Sequence, residues 1–256
     1  MEKLSVWAES CAVRFGAIDK SDSMTLDAAL NFLQEAAISH AENLGVGREA
    51  MARTGQVWLL SRMSLQIDRR PRYGETVTVR TWPRGGEKLF ALRDFDIRDA
   101  DDHAAVRARS CWLIIDIEKR RPLRPQSIMD SLPQNEGMDS LPTAVSLAER
   151  PSLHKNHERR ALYTDVDYNG HVNNVSYIRW MEDTIDPVFL EQAVQMRLDI
   201  NYMNEILPGE AVGIWSAEIT EDAVAHNGGS VHAFAFEGRK SHDNQAAFRS
   251  ELRLWR

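Results

Sequence analysis

The clearest pattern of hydrophobic positions lies near the amino terminus and predicts a long helix. Apolar residues recur there at helical spacing, at Leu26, Ala29, Leu30, Leu33, Ala37, Ala41 and Leu44. Thr25 precedes the pattern as a candidate N-cap, and Asp27 lies in the first turn, where the helix dipole favours a negative charge. Gly45 follows the last apolar position, as glycine commonly does at a helix end. The pattern therefore predicts one long helix that stops at Gly45.

Strand-like patterns follow this helix, and the second half of the chain repeats the plan. The strands predicted in the first half are 56–69, 75–82, 87–98 and 104–117. Alternation of polar and apolar residues is regular in 76–82, as expected of a sheet with one buried face. In the second half, a shorter helix is marked by Val175, Ile178, Met181 and Ile185. The strands predicted after it are 196–204, 211–220, 230–237 and 246–255.

The two halves also align with each other. Residues 62–67 match 197–202 at an offset of 135 (197 − 62), and residues 74–77 then fall on 209–212 without a gap. Between the halves, prolines at 122, 125, 133, 142 and 151 break any long element. We therefore predict an α+β chain with two similar halves, 1–120 and 161–256, joined by a linker at 121–160.

Composition and charge narrow the classes of function. A net charge of −7 argues against general nucleic-acid binding. The apolar runs are too short to span a bilayer, and the first five residues lack the order of a signal peptide. Cys11 and Cys111 form neither a disulfide framework nor a zinc pattern. We expect a globular protein of a reducing cytoplasm, with no nucleic-acid or membrane partner.

A polar segment between a predicted strand and a predicted helix carries candidate chemistry. In an extended chain Asp167, Asn169 and His171 would project the same way, and their side chains could orient a water or a thioester carbonyl. Amides at the start of the following helix could stabilise an oxyanion. An alternative is that Asn169-Gly170 is a turn and that Asn173 or Asn174 is a helix cap. Spacing alone leaves both interpretations open.

A second candidate carboxylate lies after the strand predicted at 196–204. Glu205 aligns with Arg70 of the first half, where each strand runs into its turn. A glutamate in such a turn is commonly just exposed, so its position alone does not assign it to a site.

Three segments resemble one family, the acyl-acyl-carrier-protein thioesterases of plants and bacteria. Residues 167–178 resemble its D-x-N-x-H-V-N-N core, which leads into a Y-I-x-W helix that Trp180 completes. Residues 31–37 resemble its N-x-L-Q-E-x-A helix, and residues 69–77 resemble its R-x-P-x-x-G-D/E-x-V turn. The resemblance covers roughly residues 12–255.

The resemblance implies a fold and a reaction. It implies a tandem (double) hotdog fold, in which each half has a curved antiparallel sheet wrapped around a central helix. It also implies hydrolysis of fatty acyl thioesters of acyl carrier protein (ACP), which releases free fatty acid and terminates fatty acid synthesis. The catalytic residues that it implies are Asp167, Asn169, His171 and Glu205. Glu205 follows His171 by 34 positions (205 − 171), which is the separation found in the family.

The expected mechanism needs no metal and no organic cofactor. Glu205 and His171 would hold and deprotonate a water, although direct carboxylate attack giving a mixed anhydride stays open. Many plant relatives carry a cysteine just after the glutamate, whereas this chain has Ile206. A cysteine–histidine mechanism is therefore disfavoured here.

The first half lacks the polar residues and is predicted to bind the acyl chain. The expected tunnel residues are Leu30, Leu33, Gln34, Ala37, Trp58, Leu60 and Met63, although such an apolar stripe is equally typical of a core. His40, on the same stripe, is interpreted as a core histidine. Two basic stretches are predicted to dock the acidic carrier, namely Arg69, Arg70 and Arg72, and Lys119, Arg120, Arg121 and Arg124. Solvated surface is the alternative for both stretches.

Rival functions keep the fold but change the substrate or the activity. An acyl-CoA thioesterase shares the chemistry and differs only in the leaving thiol. A hotdog dehydratase or hydratase is supported by the fold alone. A non-catalytic acyl-binding or regulatory protein would not need the four polar residues. The expected partner is ACP, and the chain is expected to be a monomer or a homodimer.

Overall fold

Two copies of one strand order make up the structure, a computed structural model that describes residues 2–219 and 230–256. The chain divides into a first unit, Met1–Ala144, and a second unit, Val145–Arg256. This division lies within the predicted linker at 121–160. Among the described residues, no helix is long and apolar enough to cross a membrane.

The first unit is an antiparallel sheet with one long helix. Its strands are β1 (Trp7–Ala12), β2 (Gln56–Ile67), β3 (Thr76–Glu87), β4 (Phe90–Arg98), β5 (Ala104–Asp116) and β6 (Arg121–Leu123). Its helices are α1 (Leu26–Leu44), α2 (Arg48–Arg53) and α3 (Gln126–Met129), and a 3-10 turn covers Phe15–Ala17. The strands lie in the order β1-β3-β4-β5-β2, and β6 pairs with the end of β5.

The long helix α1 forms as its pattern predicts. The Thr25 side chain accepts the Ala28 amide at 3.3 Å, and Gly45 ends the helix in the left-handed region at φ 76°. The apolar stripe is buried, with Leu33 and Leu44 fully inaccessible to solvent. The helix packs against β3, so this stripe forms the core of the first unit.

The second unit repeats this plan with a shorter helix. Its strands are β7 (His154–Arg160), β8 (Gln195–Tyr202), β9 (Ala211–Glu218), β10 (Val231–Lys240) and β11 (Ala246–Trp255). Its helices are α4 (Asn174–Glu182) and α5 (Pro187–Gln192), and a 3-10 turn covers Tyr163–Asp165. The strand order is β7-β9-β10-β11-β8, which matches the first unit strand for strand. The prediction of two similar halves is therefore confirmed.

Some elements were not predicted from the sequence. β1 and β7 lie at the end of each strand order, and β7 consists almost entirely of exposed polar residues, so no apolar alternation marks it. The segment predicted as linker, 121–160, contains two strands. β6 pairs with β5, and β7 pairs with β9. Residue 220, the last of the predicted strand 211–220, lies outside the described residues.

A buried ion pair holds the chain after α3 against the sheet of the first unit. The Asp94 carboxylate on β4 is fully buried and accepts two hydrogen bonds of 2.6 Å from the Arg109 guanidinium on β5. The Ser140 amide donates to the same carboxylate at 2.9 Å, and Arg109 also binds Asp139 at 2.7 Å. Asp94 therefore joins two strands to a segment of the predicted linker.

His40 is a buried histidine, as its place on the α1 stripe predicts. It is fully inaccessible to solvent, with Nε2 at 3.0 Å from the Leu4 carbonyl and Nδ1 at 3.1 Å from the Arg93 guanidinium. Burial, together with the charge of Arg93, lowers the pKa of His40 from 6.5 to about 4. His40 is therefore neutral in the folded protein at neutral pH.

This pKa predicts an acid-dependent loss of stability in the first unit. Between pH 6.5 and pH 4 the unfolded chain binds a proton at His40 that the folded chain does not bind. The free energy of unfolding should therefore fall by roughly 3 kcal/mol from this residue as the pH drops through that window. Denaturant titrations at several pH values on wild type and His40→Gln measure it, and the variant should show a shallower slope.

The control for this prediction is His103→Asn, because the His103 side chain is 81% exposed. This variant should keep the pH slope of the wild type. If wild type and His40→Gln lost stability in parallel between pH 6.5 and pH 4, His40 would not be the cause.

Candidate active site

A tight turn carries three of the four predicted catalytic residues. The Gly170 amide donates to the Asp167 carbonyl at 3.0 Å, and the Asp167 amide donates to the His171 carbonyl at 2.9 Å. The Asp167 carboxylate accepts the Asn169 amide at 2.8 Å. Gly170 has φ 82°, in the left-handed region that glycine adopts without strain. Asp167, Asn169 and His171 are therefore brought together by a closed turn.

This geometry corrects how the three residues were expected to meet. An extended segment was one interpretation, and it is wrong because residues 167–170 form a turn with its own hydrogen bonds. The alternative, a turn at Asn169-Gly170 with an asparagine cap, describes the backbone correctly. The turn and the polar cluster are compatible, since the Asp167 carboxylate that shapes the turn also lies 3.5 Å from Asn169 Nδ2.

The start of α4 is less open to a ligand than expected. Asn173 is the N-cap, and its side chain accepts the Val175 amide at 3.0 Å. The Ser176 amide donates to the Asn173 carbonyl at 2.9 Å. The expectation that these amides bind an oxyanion is therefore wrong for Val175 and Ser176, whose N–H groups are occupied.

Glu205 lies beside His171, as the sequence resemblance implies. His171 Nε2 is 3.3 Å from Glu205 Oε2, and the two side chains are 34% and 52% exposed. The Val172 amide donates to the Ile206 carbonyl at 2.9 Å, so the residues that follow His171 and Glu205 are joined through the backbone. The pair is therefore both positioned and open to solvent.

Asp165 supports the turn and was not predicted as a functional residue. Its carboxylate accepts the Trp180 indole N–H at 3.3 Å and the Leu162 amide at 2.8 Å. Its carbonyl accepts the Asn173 amide at 2.8 Å and the Ser176 hydroxyl at 3.1 Å. Asp165 thus connects the turn to α4 through hydrogen bonds. The sequence signal that could have indicated this role is its position, two residues before the D-x-N-x-H segment.

The first unit contains the same turn, with serine at two of the three positions that are predicted to be catalytic in the second unit. The Asp22 amide donates to the Asp19 carbonyl at 3.1 Å, and the Asp19 amide donates to the Ser23 carbonyl at 3.0 Å. Asp22 takes φ 64°, at the position of Gly170. Ser23 stands at the position of His171, so this copy of the turn has no imidazole.

Arg70 closes the turn of the first unit from the position that Glu205 holds in the second. Its guanidinium is 2.5 Å from the Asp19 carboxylate and donates to the carbonyls of Met24 at 2.9 Å and Ser23 at 3.1 Å. Arg70 is 8% exposed. An internal ion pair therefore replaces the exposed histidine–glutamate pair, which indicates a structural role for this copy.

Comparison with known proteins identifies the family. A model of the acyl-ACP thioesterase N-terminal domain matches residues 5–132, and a model of the acyl-ACP thioesterase C-terminal domain matches residues 148–252. The chain belongs to the acyl-ACP thioesterase family. The matches cover both units, so the family resemblance seen in the sequence is confirmed.

Two relatives of this acyl-ACP thioesterase family member are chloroplastic plant proteins, and both are longer than this chain. A chloroplastic acyl-(acyl-carrier-protein) hydrolase of Cuphea viscosissima is 28% identical over 217 residues, which are 78% of this chain and 52% of the relative. A chloroplastic oleoyl-acyl carrier protein thioesterase of Coriandrum sativum is 26% identical over 269 residues, 97% of this chain and 72% of the relative. The chain thus spans about half the length of the Cuphea relative.

A solved structure shares the fold. The acyl-ACP thioesterase of Bacteroides thetaiotaomicron superposes with a TM-score of 0.81 and 22% identity, covering 98% of each chain. The family member therefore has the double hotdog fold, as predicted.

The predicted acyl-binding residues of this acyl-ACP thioesterase family member lie in the core of the first unit. Leu30, Leu33, Ala37, Leu60 and Met63 are buried, and Gln34 and Trp58 are half-buried. Trp58 packs against the buried cluster of Leu44, Ala91, Met129 and Leu132, and its indole N–H donates to the Val46 carbonyl at 2.9 Å. A role in binding the acyl chain stays a prediction for all seven.

The predicted docking residues separate into exposed and internal groups. Arg72, Lys119, Arg120, Arg121 and Arg124 are exposed. Arg69 is exposed but binds Glu75 and Asp99. Including Arg70 was wrong, because its guanidinium is buried and bonded within the first unit.

The two cysteines lie in the first unit, whereas His171 and Glu205 lie in the second. Cys11 on β1 and Cys111 on β5 are free thiols of the first unit, and burial raises the pKa of both. Among the described residues, one group has metal-binding spacing, Asp99, Asp101 and His103 in the turn between β4 and β5. The Asp99 carboxylate already accepts the amides of Asp101 and His103, so it shapes this exposed turn.

Proposed function

We propose that this chain hydrolyses fatty acyl thioesters of acyl carrier protein. One observation carries the proposal: His171 and Glu205 form a partly exposed pair at 3.3 Å, beside a turn that presents Asn169. Family membership supports the thioester as the reacting group, and the names of both plant relatives give acyl carrier protein as the carrier.

The paired side chains supply a base for water. Glu205 and His171 hold a water, and His171 takes its proton as the water oxygen attacks the thioester carbonyl carbon. The carbon–sulfur bond then breaks, and the proton returns from His171 to the departing thiolate. The products are a fatty acid and the carrier thiol, so the reaction consumes one water and needs no other reactant.

In this proposal the side-chain amide of Asn169 binds the oxygen of the reacting carbonyl. Its amide group is exposed and near the Asp167 carboxylate, which accepts from both the backbone and the side chain of Asn169. One N–H of the side-chain amide can face Asp167 while the other faces the developing oxyanion. Asp167 therefore acts on the substrate through Asn169.

An isotope experiment separates this route from carboxylate attack. In a single turnover in H₂¹⁸O, direct water attack puts the label only into the released fatty acid. Attack by Glu205 would give a mixed anhydride, and attack of water on the glutamyl carbonyl of that anhydride would leave label in the enzyme carboxylate. Mass spectrometry of the peptide that contains Glu205 detects this outcome, and a labelled peptide would overturn the water route.

The proposed function is tested on a panel of thioesters. Release of free thiol is measured for acyl-ACP and acyl-CoA substrates of several chain lengths. Faster turnover of the carrier-protein esters supports the proposal and gives the chain preference. Hydrolysis of acyl-CoA esters alone would show that the protein is an acyl-CoA thioesterase. If the folded protein hydrolysed neither kind of ester, the proposal would be refuted.

Carrier docking at the exposed basic residues gives a separate prediction. Arg121→Glu/Arg124→Glu should lower kcat/KM for acyl-ACP about tenfold, because like-charge repulsion with an acidic carrier slows association. The same variant should change kcat/KM for acyl-CoA less than twofold.

A variant outside the predicted patch is the control. Arg53→Glu makes the same kind of charge change at an exposed residue of α2 and should keep the wild-type rate on both substrates. An unchanged rate of the double variant with acyl-ACP would exclude docking at Arg121 and Arg124.

A further inference from the structure

One peptide group, the bridging peptide between Ile206 and Leu207, connects the two sides of the candidate active site. Its carbonyl, on Ile206, accepts the Val172 amide at 2.9 Å. Its N–H, on Leu207, donates to the Glu210 carboxylate at 2.7 Å. Val172 and Ile206 each directly follow one member of the histidine–glutamate pair. The bridging peptide is therefore held at both ends, and it fixes the backbone of the pair.

The Glu210 carboxylate is itself held in place. The Glu210 amide donates to the Leu207 carbonyl at 3.1 Å and closes a turn, in which Gly209 takes φ 84°. Lys240 Nζ lies 3.2 Å from Glu210 Oε2, and the two side chains are 13% and 21% exposed. Burial raises the pKa of the Glu210 carboxyl, but the Leu207 amide and Lys240 lower this pKa by more, so the group is charged at neutral pH. The bridging peptide thus donates to a charged acceptor, which makes a stronger hydrogen bond than a neutral one.

The first unit repeats this arrangement where it has no histidine–glutamate pair. The Met24 amide donates to the Pro71 carbonyl at 2.7 Å, and the Arg72 amide donates to the Glu75 carboxylate at 2.9 Å. Glu75 aligns with Glu210 in the repeat of the two halves. Both glutamates therefore serve the fold in the same way, and a change of Glu75 is a matched control for the same change of Glu210.

We propose that Glu210 is a positioning residue, which fixes the bridging peptide and thereby holds Glu205 within reach of His171. Without the carboxylate, the peptide can rotate and its bond to the Val172 amide weakens. The Glu205 side chain is 52% exposed, so its position depends mainly on the backbone that carries it. The inference rests on the proposed hydrolysis for its kinetic consequences, whereas its structural consequence can be measured without a substrate.

Glu210→Ala compared with Glu75→Ala tests this role. Each change removes the carboxylate that accepts an amide of its own turn. Glu210→Ala should lower kcat about tenfold with KM changed less than twofold, because a charge-assisted hydrogen bond that orients the catalytic pair is lost. Glu75→Ala should keep both constants within twofold of wild type. An equal loss of kcat in the two variants, or an unchanged kcat in Glu210→Ala, would overturn the inference.

Two further variants separate positioning from general loosening of the unit. Glu210→Gln keeps a side-chain oxygen that can accept the Leu207 N–H, so it should retain at least about a third of wild-type kcat. In a Glu205→Gln background, Glu210→Ala should reduce the residual rate less than twofold, because the group that it positions is already disabled. A full tenfold reduction in that background would show that Glu210 acts independently of Glu205 and would contradict the proposed role.

Amide hydrogen exchange tests the bridging peptide without activity. Glu210→Ala should speed exchange of the Leu207 and Val172 amides at least about tenfold, because both amides are bonded through this peptide. Glu75→Ala should leave both unchanged. Unchanged exchange of the Val172 amide in Glu210→Ala would refute the inference, whatever the activity. If wild type hydrolyses no thioester while the exchange result holds, the proposed function fails and the structural role of Glu210 stands.

Discussion

His171→Ala should reduce kcat/KM for acyl-ACP about 10³-fold while the protein stays folded. The imidazole is the group that takes the proton from water in the proposed reaction, and removal of such a base typically costs about 10²–10⁴-fold. His171 is partly exposed and contributes little to the core, so the variant should unfold at the wild-type temperature. Thiol release at substrate concentrations well below KM measures kcat/KM. Thermal unfolding followed by circular dichroism measures the unfolding temperature.

A histidine of the same unit provides the control for this prediction. His157 on β7 is exposed, and His157→Ala should keep the wild-type rate. Glu205→Gln should approach the effect of His171→Ala, since the two residues hold the same water, and the double variant should be little worse than either single one. A folded His171→Ala enzyme with more than a third of wild-type kcat/KM would remove His171 from the mechanism.

The elements that could be predicted from the sequence are those marked by a capping residue or by a pattern of buried apolar residues. The start and end of α1 were predicted from Thr25 and Gly45, because a cap is a local hydrogen bond and a glycine permits positive φ. The central strands were predicted from their apolar residues. β1 and β7 were missed, because an outer strand needs backbone hydrogen bonds to one neighbour rather than an apolar face.

The site could be predicted by residue but not by geometry. Spacing placed Asp167, Asn169 and His171 together, and the structure does bring them together. It could not show that a turn does so, because the turn depends on the Asp167 carboxylate and the positive φ of Gly170. The pairing of His171 with Glu205 depends on a backbone contact between Val172 and Ile206, which no local pattern indicates.

The role of Arg70 shows where charge in a sequence misleads. Three arginines among four residues at 69–72 predict a basic surface, yet Arg70 points inward and satisfies Asp19 and two carbonyls. Buried arginine is stable when its donors are all used, and sequence alone does not reveal the acceptors. The aligned position in the second unit is Glu205, so one position of the repeat serves stability in one unit and the proposed chemistry in the other.

The largest effect on stability should come from Asp94→Asn. The change keeps the shape of the side chain but removes the buried charge that pairs with Arg109, and only the exposed carboxylate of Asp139 then remains as its ionic partner. Hydrogen bonds from Asp94 and Asp139 raise the pKa of Arg109. Breaking a buried ion pair by removing one partner typically costs about 3–5 kcal/mol, because the remaining charge stays buried. The Arg109 side chain is only 8% exposed, so water cannot replace the carboxylate.

Calorimetry or denaturant unfolding of the whole chain measures this effect against a matched variant. Asp102→Asn makes the same chemical change in an ion pair with Arg98, but the Asp102 side chain is 80% exposed, so its loss should cost less than about 1 kcal/mol. The Ser140 amide should also lose protection from hydrogen exchange in Asp94→Asn, since its acceptor becomes a neutral amide. If the two variants were equally stable, the Asp94–Arg109 pair would not hold the segment after α3 to the sheet.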